Sequence, residues 1–188
     1  MDSEFARSRD VSETAVAAPV TSALSATIDF ERLYESSRDD VFAYATSLLR
    51  DRAAAEDATA AAFERAYRKR TRFNPSKGSA RAWLFGIARN AALDELRRRG
   101  RHTELSTEPI DAASIVGTVE DERSELRLVL AAALSQLETR ERELIALKFF
   151  AGLSNKEIAR VLGTSESNAG TKLHRTVIKL REACDGAL

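Results

Sequence analysis

The chain carries 29 Lys or Arg against 29 Asp or Glu in 188 residues, so its net charge is zero and any charge-driven partner must be met by a local patch. Its single cysteine, Cys184, excludes an internal disulfide or a multi-thiolate metal site and fits a reducing cytoplasm. His102 and His174 have no Cys or acidic neighbour at ligand spacing, so no metal and no other cofactor is expected.

Residues 1–28 are rich in Ala, Ser, Thr and Val without a sustained period and read as a disordered tail. Asp2 and Glu4 stand where a signal peptide carries positive charge. No apolar run approaches the roughly 20 residues of a membrane span, so no membrane insertion is expected. From Asp29 the pattern turns helical: Phe30, Leu33, Val41, Phe42, Ala45 and Leu48 fall at three- and four-residue steps. A second segment, 53–67, is almost entirely helix formers, with Phe63 and Tyr67 four apart.

Between Arg68 and Arg101 the chain gathers eleven Lys or Arg against two acidic residues, Asp94 and Glu95. The breakers Pro75 and Gly78 precede a helix expected from about Ala80 to Gly100. At a hundred degrees per residue Phe85, Ala88, Ala92 and Leu96 share a core face. Trp83, Gly86, Asn90, Asp94, Arg97 and Arg101 lie opposite. An aromatic ring, an amide and guanidiniums are the groups that stack on bases, read base edges and hold phosphates. These segments suffice for a first all-α domain over 29–101.

Residues 102–124 read as a linker. The stretch 102–122 holds six acidic residues, no Lys or Arg, Pro109, Gly117 and no clear period. A second domain is expected over 125–188. Leu126, Val129, Leu130, Ala133, Leu134 and Leu137 mark one helix, and Thr139–Phe150 marks another, with Gly152 as its stop. Ser154 and Glu157 form an S-x-x-E capping box. Gly163 makes a turn, and Thr164 or Ser165 caps a longer helix. A short helix, a glycine turn and a longer helix make a helix-turn-helix. Asn168, Thr171, Lys172, Arg175 and Lys179 share the outer side of its second helix, the side that enters a major groove.

Two DNA-directed surfaces joined by an acidic tether resemble the small extracytoplasmic-function sigma factors of the bacterial sigma-70 family. The most specific matches are ARAWLFGIARNAALDELRRRGR and LETRERELIALKFFAGLSNKEIARVLGTSESNAGTKLHR. The resemblance implies two helical domains, corresponding to sigma regions 2 and 4. It implies that the loop 73–81 receives a flipped −10 base. Arg81, Trp83, Asn90, Asp94, Arg97, Arg98 and Arg101 would meet the melted non-template strand. Ser167, Asn168, Thr171, Lys172 and Arg175 would read the −35 duplex. Glu56, Asp57 and Phe63 would bind core RNA polymerase, a contact with its β′ subunit within a β and β′ interface. The linker would lie in the RNA-exit path, and an anti-sigma factor would restrain the protein.

The chain departs from the family pattern at two places. Ala60 and Ala61 replace a common Gln-Glu pair, so phosphorylation of neighbouring Thr59 would restore negative charge. Gly170 stands where a basic residue is common, removing a DNA contact. Other classes fit less well. A dimeric helix-turn-helix regulator leaves the basic block 68–101 unexplained. A DNA-processing enzyme needs a nucleophile–base pair, a metal cluster or a phosphate-cradling loop, and none is legible. The expectation is a cytoplasmic, non-catalytic polymerase subunit.

Overall fold

The computed structural model describes residues 28–103 and 123–186. The tail expected over 1–28, except Ile28, and the linker positions 104–122 lie outside the described residues. Among the described residues the chain forms seven α-helices and no strand, as the all-α reading expects. They are α1 (Phe30–Leu49), α2 (Arg52–Lys69), α3 (Ala80–Thr103), α4 (Arg123–Gln136), α5 (Thr139–Phe149), α6 (Asn155–Leu162) and α7 (Glu166–Asp185). Two short 3-10 turns, Arg70–Arg72 and Pro75–Lys77, connect α2 to α3.

Local chemistry sets the helix ends. Asp29 and Asp51 cap α1 and α2, accepting hydrogen bonds from the Arg32 and Ala54 N–H groups at 3.1 and 2.8 Å. Between those helices Arg50 adopts φ 52°, and its N–H donates back to the Thr46 carbonyl. Helix α3 continues past Gly100 to Thr103, because Gly100 does not take the positive φ that ends a helix. Helix α4 starts two residues before the expected boundary.

Helices α1, α2 and α3 form a three-helix bundle. Val41, Tyr44, Leu84, Phe85 and Ala92 are fully or almost fully buried at its centre. The Tyr44 and Phe85 rings meet edge to face, 5.6 Å apart. The inward side of α2 is mostly alanine: Ala54, Ala55, Ala58, Ala62 and Ala66 are all buried. Small side chains let α2 lie close against both neighbours.

Helices α5, α6 and α7 enclose Leu144, Leu147, Ile158, Ala169 and Leu173. Ser154 caps α6: its Oγ accepts from the Glu157 N–H, and Glu157 Oε2 accepts from the Ser154 N–H at 3.0 Å. Gly163 closes α6 at φ 67°, a left-handed conformation that suits glycine. Ser165 caps α7. The expected helix-turn-helix is therefore present in detail.

Sequence reasoning placed these halves on a tether. In the structure they also pack directly, α1 against α5 and α3 against α6, and one contiguous apolar cluster runs through both. Replacing Ser154 with Ala removes one half of the α6 capping box. Chemical denaturation of S154A should show a loss of about 1 kcal/mol, with unchanged dependence on denaturant concentration.

Candidate nucleic-acid interface

The loop between α2 and α3 is shaped by its own side chains. Asn74 Oδ1 accepts from the Ser76 N–H and Oγ at 3.0 and 2.7 Å, which sets the 3-10 turn. Ser79 Oγ accepts from the Ala82 N–H and starts α3. The loop and the first turns of α3, with Arg160 and Val161 of α6, line a half-open cleft of about 500 Å³ that includes Phe73, Asn74, Lys77, Trp83, Gly86 and Asn90. Phe73 and Trp83 are half-buried with ring centroids 5.7 Å apart, tilted by 60°. Two aromatic rings, an exposed amide and a lysine at the mouth suit an unstacked base followed by phosphate. Phe85 is fully buried, as its place on the helical wheel requires.

Further along α3 the arginines are held by carboxylates. Asp94 accepts from Arg65 of α2 at 2.8 Å and from Arg97 at 3.1 Å. Glu95 is largely buried and accepts from Arg98 at 2.8 and 2.9 Å and from Arg99 at 3.0 Å. Arg99 also pairs with the α2 cap Asp51. Arg97 and Arg98 stay exposed and carry their charge outward. Asp94, placed by sequence on a strand-reading face, has both its oxygens engaged by arginines. The Arg101 side chain lies outside the described residues.

Arg81 is placed differently from the sequence expectation. Its guanidinium donates to Asp40 at 2.5 Å, to the Ser36 carbonyl and Ser37 Oγ at 3.2 Å, and to the Phe150 and Ala151 carbonyls at 2.9 and 2.6 Å. It ties the first domain to the end of α5 rather than facing an open surface. Beside it, Glu143 of α5 is buried; its Oε1 accepts from Arg89 Nε at 2.7 Å and from Tyr44 Oη at 3.2 Å. Burial and the adjacent carboxylate push the Tyr44 hydroxyl well above its ordinary pKa. Sequence reasoning missed Glu143, Arg89 and Tyr44 as a group. The available signal was a carboxylate directly before Leu144, Ile145 and Leu147.

On α7, Asn168, Thr171, Lys172 and Arg175 are exposed along one face, with Ser167 exposed in the first turn. Asn168 Nδ2 donates to Thr164 Oγ1 at 2.6 Å. Lys172 and Arg175 form no ion pair among the described residues. Gly170 turns inward instead: a Cβ there would meet Asn155 Nδ2 at 3.3 Å. A side chain at this position would press on the tip of Asn155 of α6.

On α2, Glu56, Asp57 and Ala60 are exposed, while Ala61 is half-buried. Phe63 is buried, its ring 4.8 Å from Tyr34, so it supports this surface from beneath. Thr59 is also buried and donates to the Ala55 carbonyl at 2.7 Å. Phosphorylation at Thr59 would have to break that bond.

These features define a helical DNA-binding protein with two distinct reading surfaces. Residues 33–102 match the model for Sigma-70 region 2, and residues 127–180 match that for Sigma-70, region 4. The ECF RNA polymerase sigma factor SigL of Mycobacterium tuberculosis is 31% identical over 150 residues, covering 79% of this chain and 85% of SigL. The RNA polymerase sigma factor CarQ of Myxococcus xanthus is 34% identical over 154 residues, covering 81% and 87%. The Streptomyces coelicolor ECF sigma factor BldN is 32% identical over 94% of this chain, which spans 65% of BldN's length. Among solved structures, CnrH in complex with the cytosolic domain of CnrY aligns with TM-score 0.59 and 26% identity, covering 84% of this chain and 88% of that one. The sigma factor RpoE of Bartonella quintana, solved with the anti-sigma factor NepR, shares the fold at TM-score 0.65 and 24% identity, covering 84% and 97%.

The chain belongs to the extracytoplasmic-function sigma factors of the sigma-70 family. Sigma factors are regulatory subunits that bind core RNA polymerase and promoter DNA and direct transcription initiation. No helix among the described residues is long and apolar enough to cross a membrane.

The Glu95 cluster has a pH signature. Arg98 first, and then Arg99, hold the Glu95 carboxyl below its ordinary value of 4.5, against the opposing effect of burial. A lowered folded-state pKa stabilises above pH 4.5, and that contribution is lost as pH falls through the folded-state value. Glu95→Gln should cost about 1 kcal/mol at pH 7, and the gap from wild type should shrink as pH falls from 4.5 towards 3. Denaturation curves at several pH values check this.

Proposed function

We propose that the first domain, 29–101, binds core polymerase and the melted −10 strand, and that the second, 125–188, reads the −35 duplex, with 102–124 as the connection. The observation that carries this reading is the cavity lined by Phe73, Trp83 and Asn90, together with an exposed face on α7 where Lys172 and Arg175 form no ion pair among the described residues. Opening a promoter requires unstacking at a few kcal/mol per flipped base. A site offsets this by holding the released base better than duplex holds it. Trp83 and Phe73 supply stacking, Asn90 supplies a base-edge partner, and Arg97 and Arg98 supply phosphate contacts. Arg101 extends the same basic run.

On α7, Lys172 and Arg175 face outward with Ser167, Asn168 and Thr171. Helix α2 offers Glu56 and Asp57 to a basic surface of core polymerase. Their exposure supports that role, whereas Phe63 shapes the face without presenting itself. The protein acts in the cytoplasm as a non-catalytic subunit. An anti-sigma protein restrains it, a reading supported by the NepR and CnrY complexes of the two structural neighbours.

Run-off transcription tests the whole reading. Core enzyme with this protein should start at discrete promoters that core alone does not use. Asn90→Ala should leave initial promoter binding within about twofold while permanganate reactivity of the −10 region falls roughly tenfold, a difference of about 1.4 kcal/mol. Start sites indistinguishable from core alone would refute the assignment.

The second domain makes a separate claim. If Lys172 or Arg175 reads a base through paired hydrogen bonds, its Ala variant should lose about 1–3 kcal/mol of discrimination at one position. If it holds phosphate, affinity should fall evenly across sequences and the salt slope should drop by about one. Filter binding of holoenzyme over a salt series separates these outcomes. No effect in either variant would remove α7 from the interface.

A further inference from the structure

A second cleft, of about 300 Å³, lies between α1, α4 and α5. Its walls are mostly apolar: Phe42, Ala131, Leu134, Ile145, Ala146 and Phe150 line it. Thr46, Arg50 and Arg142 line it too, so hydrocarbon and two guanidiniums share one concave site. None of these residues belongs to the cleft at the α2–α3 loop or to the exposed face of α7. A site of this size is at the small end of those that hold organic ligands. In such sites apolar walls supply affinity and a few polar groups fix orientation.

The polar end is built but not satisfied. Arg142 is half-buried and anchored. Its guanidinium donates to the Ser47 carbonyl at 3.3 Å, to Thr139 Oγ1 at 3.1 Å and to the Leu137 carbonyl. Arg50 donates through Nη2 to the Ser135 carbonyl at 3.2 Å, while its Nε is buried and has no hydrogen-bond partner. The Thr46 hydroxyl, one turn earlier, is likewise buried without a partner. Among the described residues neither guanidinium forms an ion pair. Glu141 gives its Oε2 to Lys179 and to the Glu138 N–H instead. Burial, and then the charge of Arg50, lower the pKa of Arg142, with Glu141 opposing them. Two like charges beside buried orphan groups form an arrangement that an anionic acceptor completes.

The backbone supports the same reading. Arg50 is the one non-glycine residue among the described residues with a positive φ, 52°. Glycine takes this conformation freely, whereas a side chain is held there at a cost. A turn between α1 and α2 needs no guanidinium. The side chain kept at this position is one that lines the cleft.

We propose that this cleft binds an apolar monocarboxylate of the medium-chain fatty-acid class. The head group lies between Arg50 and Arg142, with the Thr46 hydroxyl donating to it, and the chain runs along Phe42, Leu134, Ile145 and Phe150. A nucleotide would press its polar bulk against these walls, and a plain hydrocarbon would leave both guanidiniums unanswered. The ligand touches α1 on one side and α4 and α5 on the other, so binding stabilises the folded chain by mass action.

Isothermal titration calorimetry on the full chain tests this, with octanoate as the probe. Octanol and acetate serve as controls that carry only the tail or only the head. Octanoate should bind at a single site, about tenfold or more tighter than either control. Arg50→Gly removes the guanidinium where the backbone suits glycine. Its circular dichroism should match wild type while octanoate affinity falls about tenfold or more. Ala131→Leu adds bulk to the apolar wall without touching the polar end and should weaken octanoate by about tenfold. Octanoate should raise the melting temperature of wild type and not of Arg50→Gly.

Absence of octanoate binding at millimolar concentration overturns the proposal. So does octanol binding as tightly as octanoate, or undiminished octanoate binding in Arg50→Gly, since either leaves an apolar groove that recognises no carboxylate. Should Arg50→Gly fail to fold, the comparison of octanoate with octanol, together with Ala131→Leu, decides. None of these outcomes depends on which DNA element each domain reads.

Discussion

Glu143 is a buried carboxylate at the meeting point of two helical bodies, and the arrangement of the chain depends on how its charge is met. A charge removed from water without partners costs several kcal/mol. Here Arg89 and Tyr44 arrive from two different helices of the first domain to accept that role. The pairing adds little net stability, because desolvation opposes it. Its effect is on geometry: a docking of α5 that buried Glu143 away from Arg89 and Tyr44 would leave its charge without a partner. One interaction thereby selects a single relative placement of the two domains. The positions of Arg81 against the end of α5, and of α6 against the α2–α3 loop, follow from that placement.

A neutral chain needs a second constraint to behave as a nucleic-acid binder. Its cations must be collected and kept apart from its anions. On α3 this is done with carboxylates used as local supports. Asp94 fixes Arg65 and Arg97, and Glu95 fixes Arg98 and Arg99. Arg97 and Arg98 give part of the fork to a support and stay exposed, while Arg65 and Arg99 are half-buried ties between α2 and α3. Arginines ordered in advance lose less side-chain freedom on meeting a phosphate backbone than free ones do. Six of the remaining acidic residues are gathered in 102–122, a stretch without Lys or Arg. Charge neutrality of the whole thus coexists with strong polarity of the parts.

Much of this architecture was legible in the residues. Helical period, capping chemistry and turn glycines located α1 to α7, because each is a local effect. Ser154 with Glu157, Gly163 and Ser165 behave as their spacing requires. The wheel of α3 correctly separated Phe85 from Trp83 and Asn90. What the residues did not disclose depends on contacts distant along the chain. Arg81 looks like any basic residue beside a basic helix, and only the approach of α5 turns it inward. Thr59 looked accessible because α2 has a weak amphipathic pattern, with alanine on both its faces. Period and propensity describe a helix alone, whereas the partner of each face is a property of the assembled chain.

The alanine face of α2 has an evolutionary consequence. Five alanines face inward and set the spacing to α1 and α3, so that side of the helix tolerates almost no increase in volume. Glu56, Asp57 and Ala60 point outward and take no part in that packing. Selection can therefore alter the charge and size of the outward side without disturbing the bundle. On the core-binding role proposed for that face, single outward substitutions tune the contact with polymerase while the bundle behind it stays constant.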